Sequence, residues 1–145
     1  MSSKNSPLNI NSLQLVSTSS RGGSGGILKK QSSGRYRLYL NQTAIQLLNK
    51  THQDLYFKNK TALDKQHLYG TILKDEDSIY LAVANNPSWG GKSLQYLSST
   101  LYLNVDKSAT DALLQALLAK GLKDFRGFER VDCSDASISL IRLKM

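Results

Sequence analysis

The sequence predicts an α+β fold: a small β-rich barrel or sheet with two helices, forming one folded domain over residues 34–145 behind a flexible N-terminal arm of residues 1–33. Three observations predict it. Apolar and polar residues alternate in several short runs, the two-residue period of a half-buried strand. A stretch after Val105 repeats its apolar residues every three to four positions, the period of an amphipathic helix. Finally, Leu-Tyr-Leu-Asn occurs at 38–41 and again at 101–104, each copy a strand leading into a helix. The chain therefore reads either as two strand-helix-strand repeats, 34–84 and 97–145, or as two unrelated corners that both use Asn as a cap.

The arm is rich in Ser, Asn and Gly, and its segment 19–26, SSRGGSGG, has the composition of a linker that keeps its chain entropy. Within it, LNINSLQLV at 8–16 alternates well enough to add as a strand to a partner or a sheet edge, or else to remain an unstructured tail. From Arg35 to Leu40 the alternation is clean. Tyr36, Leu38 and Leu40 line one face and Arg35, Arg37 and Tyr39 the other, so one side is apolar and the other basic and aromatic. Asn41 is an N-cap, since its side-chain oxygen can accept an exposed amide of the next turn. The short helix that follows places Ala44, Leu47 and Leu48 on one stripe and ends at Asn49. Leu55, Tyr56 and Phe57 read as the next strand, and 58–66 as a polar connection. Residues 67–73 and 78–83 read as a hairpin around an acidic turn, Lys74 to Asp77. Asn, Pro and paired Gly then break regular structure over 85–93.

After the break, 97–105 is a strand and 106–120 the strongest helix in the chain, with Ala109, Ala112, Leu113, Ala116 and Leu117 in register. Ser108 and Asp111 offer a capping-box-like start, and Gly121 stands where a left-handed C-terminal residue belongs. Two further strands, 125–131 and 137–143, flank a turn at Asp132 to Asp135.

Composition excludes several classes. No apolar run approaches the roughly 20 residues that cross a bilayer, and the first residues lack a signal-peptide layout, so a cytoplasmic protein with no membrane partner is expected. Cys133 is the only cysteine, which rules out an intrachain disulfide, and His52 and His67 read as ordinary strand-end histidines. No metal or cofactor is expected. GGKS at 90–93 lacks the earlier glycine of a phosphate loop, because position 86 is Asn86. Carboxylates pair only in turns and no nucleophile has a base, so the chain reads as non-enzymatic, with no small-molecule substrate.

Charge carries the functional signal. The net charge is +8, from 19 Lys and Arg against 11 Asp and Glu. Every one of those acids lies at Asp54 or later, while Lys4, Arg21, Lys29, Lys30, Arg35, Arg37 and Lys50 precede it. Such asymmetry fits either an arm or face that meets a polyanion or a solubilising tail.

The stretch Gly34 to Phe57 resembles the AbrB-like swapped-hairpin family of DNA-binding proteins. Gly34-Arg35 matches the family's Gly-Arg start, Leu40 its last strand residue, Leu48 its final helix leucine and Asp54 the aspartate before its second strand. Asn41, Asn49 and Gln53 stand where the family has proline, glycine and glycine. The resemblance implies an interlaced barrel, built between two chains or two repeats, with DNA contacts from basic side chains near the start of the hairpin. Arg35 matches such a position; Arg37 and Lys50 are nominated by charge and facing.

The function expected is a small nucleic-acid-binding protein, a DNA-binding regulator or accessory factor. Arg21, Lys29, Lys30, Arg35, Arg37 and Lys50 would meet phosphates, and Tyr39 would offer a stacking surface. A homo-oligomer is expected. The alternative is a structural or assembly protein, such as a virion component, whose arm adds to a neighbouring subunit.

Overall fold

The computed structural model describes residues 26–60, 67–86, 91–97 and 99–145. In chain order the elements are β1 (Leu28–Lys30), β2 (Tyr36–Leu40), α1 (Gln42–Gln46), α2 (Lys50–Asn59), β3 (Tyr69–Lys74), β4 (Ile79–Ala84), β5 (Lys92–Ser93), β6 (Gln95–Leu97), β7 (Thr100–Val105), α3 (Lys107–Ala119), β8 (Gly127–Val131) and β9 (Ile138–Lys144). The strands form two antiparallel sheets, ordered β1-β2-β7-β6 and β8-β9-β4-β3-β5. The class is α+β as expected, but among the described residues both sheets are open and no barrel closes.

Both sheets put alternate residues into one core. Leu38 and Leu40 of β2 and Leu101 and Leu103 of β7 join Leu81 and Val83 of β4 and Ile141 and Leu143 of β9 in a single buried cluster. Burying a leucine or isoleucine stabilises by roughly 1.5–3 kcal/mol, so this shared core is what holds the two sheets together.

The strand order is symmetric. Matching β1 to β6, β2 to β7, β3 to β8 and β4 to β9 leaves the order of the first sheet unchanged when read from the other end, and likewise that of the second apart from the added β5. At the centre of the first sheet the two Leu-Tyr-Leu-Asn copies pair with each other: Leu38 lies opposite Leu103, Tyr39 opposite Tyr102 and Leu40 opposite Leu101. At the centre of the second, Leu81 lies opposite Ile141. Each half of the chain thus gives one strand pair to each sheet, and the halves are interlaced.

Several expectations are corrected. The arm does not extend to residue 33: Leu28 to Lys30 pair with Tyr36 to Leu38 in a hairpin whose turn uses Gly34 at φ 90. Its start is fixed by Asp124, whose carboxylate accepts the amides of Ile27 at 2.7 Å and Leu28 at 2.9 Å. Leu55 to Phe57 is helix, not strand. The buried residues of α2 are His52, Tyr56 and Asn59, a stripe of helical spacing that two polar residue types conceal. His52 is therefore a core residue of a helix rather than a strand-end histidine, and Asp54 precedes no strand.

The helical region after Asn41 is also broken in two, which gives three helices among the described residues instead of two. Asn41 does cap α1, accepting from the Ala44 amide at 3.0 Å. Asn49, expected to end that helix, is extended at φ −60 and ψ 153 and starts α2. Its side-chain amide donates to the carbonyls of Ala136 and Ile138, tying this corner to β9. Gln53 then donates to the carbonyls of Leu48 at 2.7 Å and Gln46 at 3.2 Å, satisfying acceptors that the break would orphan.

Helix α3 begins at the side chain of Asp106, which accepts from Ala109, and not through Ser108 and Asp111. Its end is as expected: Gly121 has φ 68, and the amides of Gly121 and Leu122 donate to the carbonyls of Leu118 and Leu117. The break over 85–93 contains β5, which pairs with the start of β3. No helix among the described residues is long and apolar enough to cross a membrane. Arg21 and the strand expected at 8–16 lie outside the described residues.

Candidate nucleic-acid interface

The outward face of the first sheet gathers cations and aromatic rings. Because β2 and β7 bury their leucines, Arg37, Tyr39, Tyr102 and Asn104 are turned outward. Arg37 pairs opposite Lys29 on one side and Asn104 on the other, and Gln95 stands opposite Tyr102, so with Tyr39 these residues form two rows across four strands.

The rings and cations touch. Tyr39 and Tyr102 have ring centroids 5.6 Å apart at a 44° tilt. The guanidinium carbon of Arg37 lies 4.2 Å from the centre of the Tyr102 ring, and the Lys29 Nζ 5.5 Å from that of Tyr39. Arg37 also donates from Nη1 to the Tyr39 hydroxyl at 3.4 Å, and that bond raises the guanidinium pKa above its ordinary value. Each cation–π contact at an exposed site contributes roughly 0.5–1 kcal/mol, enough to set side-chain direction. The four strands of this sheet contain Lys29, Lys30 and Arg37 and no acid.

The outer face of the second sheet is different. There Arg142 is paired with Glu129 at 2.7 Å, and Tyr80 donates to the carboxylate of Asp75 at 2.9 Å. Arg142 is thus committed to an acid, whereas the strands of the first sheet carry their cations with no acid among them.

The structure places the nominated residues unequally. Lys29, Arg37 and Tyr39 come together. Lys30 is exposed at the strand end opposite Tyr36. Arg35 lines a cleft of about 490 Å³ with Lys92, Asp106, Lys107 and Asp111. Lys50 starts α2 and is paired with Asp54 at 2.5 Å, away from the ring pair. Tyr102, Asn104 and Gln95 were missed. Tyr102 was within reach of the sequence, since it repeats Tyr39 in the second Leu-Tyr-Leu-Asn copy; Gln95 carried no such signal.

One Ser–His pair was also missed. His52 Nδ1 lies 2.6 Å from the Ser139 hydroxyl, which accepts the Asn49 amide at 2.7 Å. The His52 tautomer sets which of the two donates in this bond. Burial holds the His52 pKa below its ordinary 6.5, with the hydrogen bond to the Ser137 backbone acting in the opposite direction. Both side chains are 1% exposed, so the pair is a buried bolt between α2 and β9 and not a site open to substrate. Among the described residues no three His, Cys, Asp or Glu side chains converge as metal ligands would.

The chain matches no family model, no curated protein and no solved structure. Its site is read from its own geometry.

Proposed function

We propose that the protein is a small nucleic-acid-binding protein, a regulator or accessory factor, whose contact surface is the outward face of the first sheet. The observation that carries this reading is the acid-free group of Lys29, Arg37, Tyr39 and Tyr102. Cations meet phosphates and rings meet bases, and a surface that offers both from strands holding no carboxylate of their own suits a polyanion with aromatic faces. Lys30 is exposed at the strand end but turned to the face of Leu28 and Tyr36, and Arg21 lies outside the described residues. The resemblance of residues 34–57 to the AbrB-like family points in the same direction and enters the proposal through Gly34-Arg35, Leu40 and Leu48. An intracellular, cytoplasmic setting belongs to it too.

Filter binding at a series of salt concentrations tests the reading. Affinity should fall steeply as salt rises, because phosphate contacts release counterions. Affinity that barely changes between low and physiological salt would contradict it.

A second reading, an assembly protein that forms a homo-oligomer, is favoured by one observation: α3 exposes Leu118 at 78% and Leu114 at 36%. Removing residues 1–25, short of β1, and measuring mass in solution tests whether an arm drives assembly. Unchanged oligomerisation would sink the arm's role.

A further inference from the structure

We propose that the nucleic acid bound on the first sheet is single-stranded, with bases stacked against the Tyr39 and Tyr102 positions and the backbone running past Lys29 and Arg37. The inference rests on the proposed nucleic-acid reading and names its substrate class.

The position of the rings carries the argument. Tyr39 and Tyr102 lie on the two central strands, and β1 and β6 flank them on either side. Four strands spaced about 4.8 Å apart span about 14 Å between outer axes before side chains are added. The major groove of a duplex is about 12 Å wide and admits a helix or a two-stranded ribbon. The flanking strands therefore hold a duplex off the sheet, and its stacked bases have no free faces to offer. A single strand can lie across the surface and turn its bases onto the rings.

The side chains are already arranged for it. Neither ring is free to collapse into the core, because the buried positions on both strands belong to leucines and Val105. The guanidinium carbon of Arg37 lies 4.2 Å from the centre of the Tyr102 ring, and its bond to the Tyr39 hydroxyl links the two rings. Lys29 beside Tyr39 and Arg37 beside Tyr102 put one cation next to each ring. Gln95 and Asn104 border the rings with amide groups that can hydrogen-bond base edges.

The test compares dT20 with a 20-base-pair duplex by fluorescence anisotropy, using the full chain, over a range of salt. The expected result is at least about ten-fold tighter binding of dT20. Tyr39→Ala and Tyr102→Ala should each weaken dT20 binding by about ten-fold, with the salt slope unchanged because stacking releases no counterions. Tyr102→Phe, which keeps the ring, should recover most of that loss, and Arg142→Ala on the opposite sheet should change nothing. The preference of the unmodified protein needs no variant and so stands even where an alanine variant fails to fold. Equal or tighter duplex binding overturns the single-strand inference and leaves the nucleic-acid reading intact. Failure to bind either probe overturns both.

Discussion

Arg37 and Tyr102 meet diagonally across the central strand pair of the first sheet, with the guanidinium carbon 4.2 Å from the ring centre. Arg37 sits directly opposite Asn104, so its neighbour Tyr102 is one step along the same face. The contact brings together residues from the two copies of the repeated tetrapeptide region and combines a phosphate-binding cation with a stacking ring.

Substituting the cations should therefore show in the salt dependence. Arg37→Ala and Lys29→Ala should each weaken nucleic-acid binding at low salt and reduce the slope of log affinity against log salt by about one. Lys50→Ala, whose charge is committed to Asp54, should leave both nearly unchanged. Equal effects from all three would show that binding follows overall charge rather than this face.

Acidification should destabilise the fold through His52. Its folded pKa lies below the unfolded 6.5, so the unfolded chain takes up a proton that the native chain refuses. Stability is then fully present above about pH 6.5 and falls as pH drops below it, by at most about 1.4 kcal/mol per pH unit for one proton. Urea unfolding at pH 7, 6 and 5 measures the slope. His52→Gln should lower stability at pH 7 and flatten that slope; a slope of unchanged steepness would assign the effect to other groups.

Asp124 should matter more than its place in a short connection suggests. Its carboxylate accepts the amides of Ile27, Leu28 and Phe125, joining the first strand to the entry of β8. Asp124→Ala leaves three donors without that acceptor and should cost on the order of 2–3 kcal/mol in urea unfolding. Gly26→Ala should also destabilise, since an added Cβ would come 2.7 Å from the Asp124 carboxylate.

At the end of α3, Gly121→Ala meets open space, so only its backbone conformation opposes the substitution. The expected cost is about 1–2 kcal/mol, read as a lowered Tm. A neutral outcome would show that the helix end relaxes to another conformation.

Where one residue type had one physical use, the sequence was readable. The leucines of β2 and β7, the cap at Asn41 and the left-handed Gly121 each follow from a local rule, and their structure agrees with it. Helix α2 was hidden because its buried stripe is His52, Tyr56 and Asn59, two of which are ordinarily counted as polar, while Leu55-Tyr56-Phe57 has strand composition. The place of β1 was hidden for another reason. Its partner on one side is β2, but its amides are held by Asp124, nearly a hundred residues away, and no local pattern records such a contact. Half the candidate face was legible, through Lys29, Arg37 and Tyr39. Tyr102 joined it only when the two copies proved to be paired strands.

The most direct test of the central claim is an NMR titration of the amide-labelled protein with dT20 and with duplex DNA. The account predicts shift changes concentrated on β1, β2, β6 and β7, greatest around Tyr39 and Tyr102, with α3 and the outer face of the second sheet little affected. Changes confined to α3 or the second sheet, or no change at all with either nucleic acid, would contradict it.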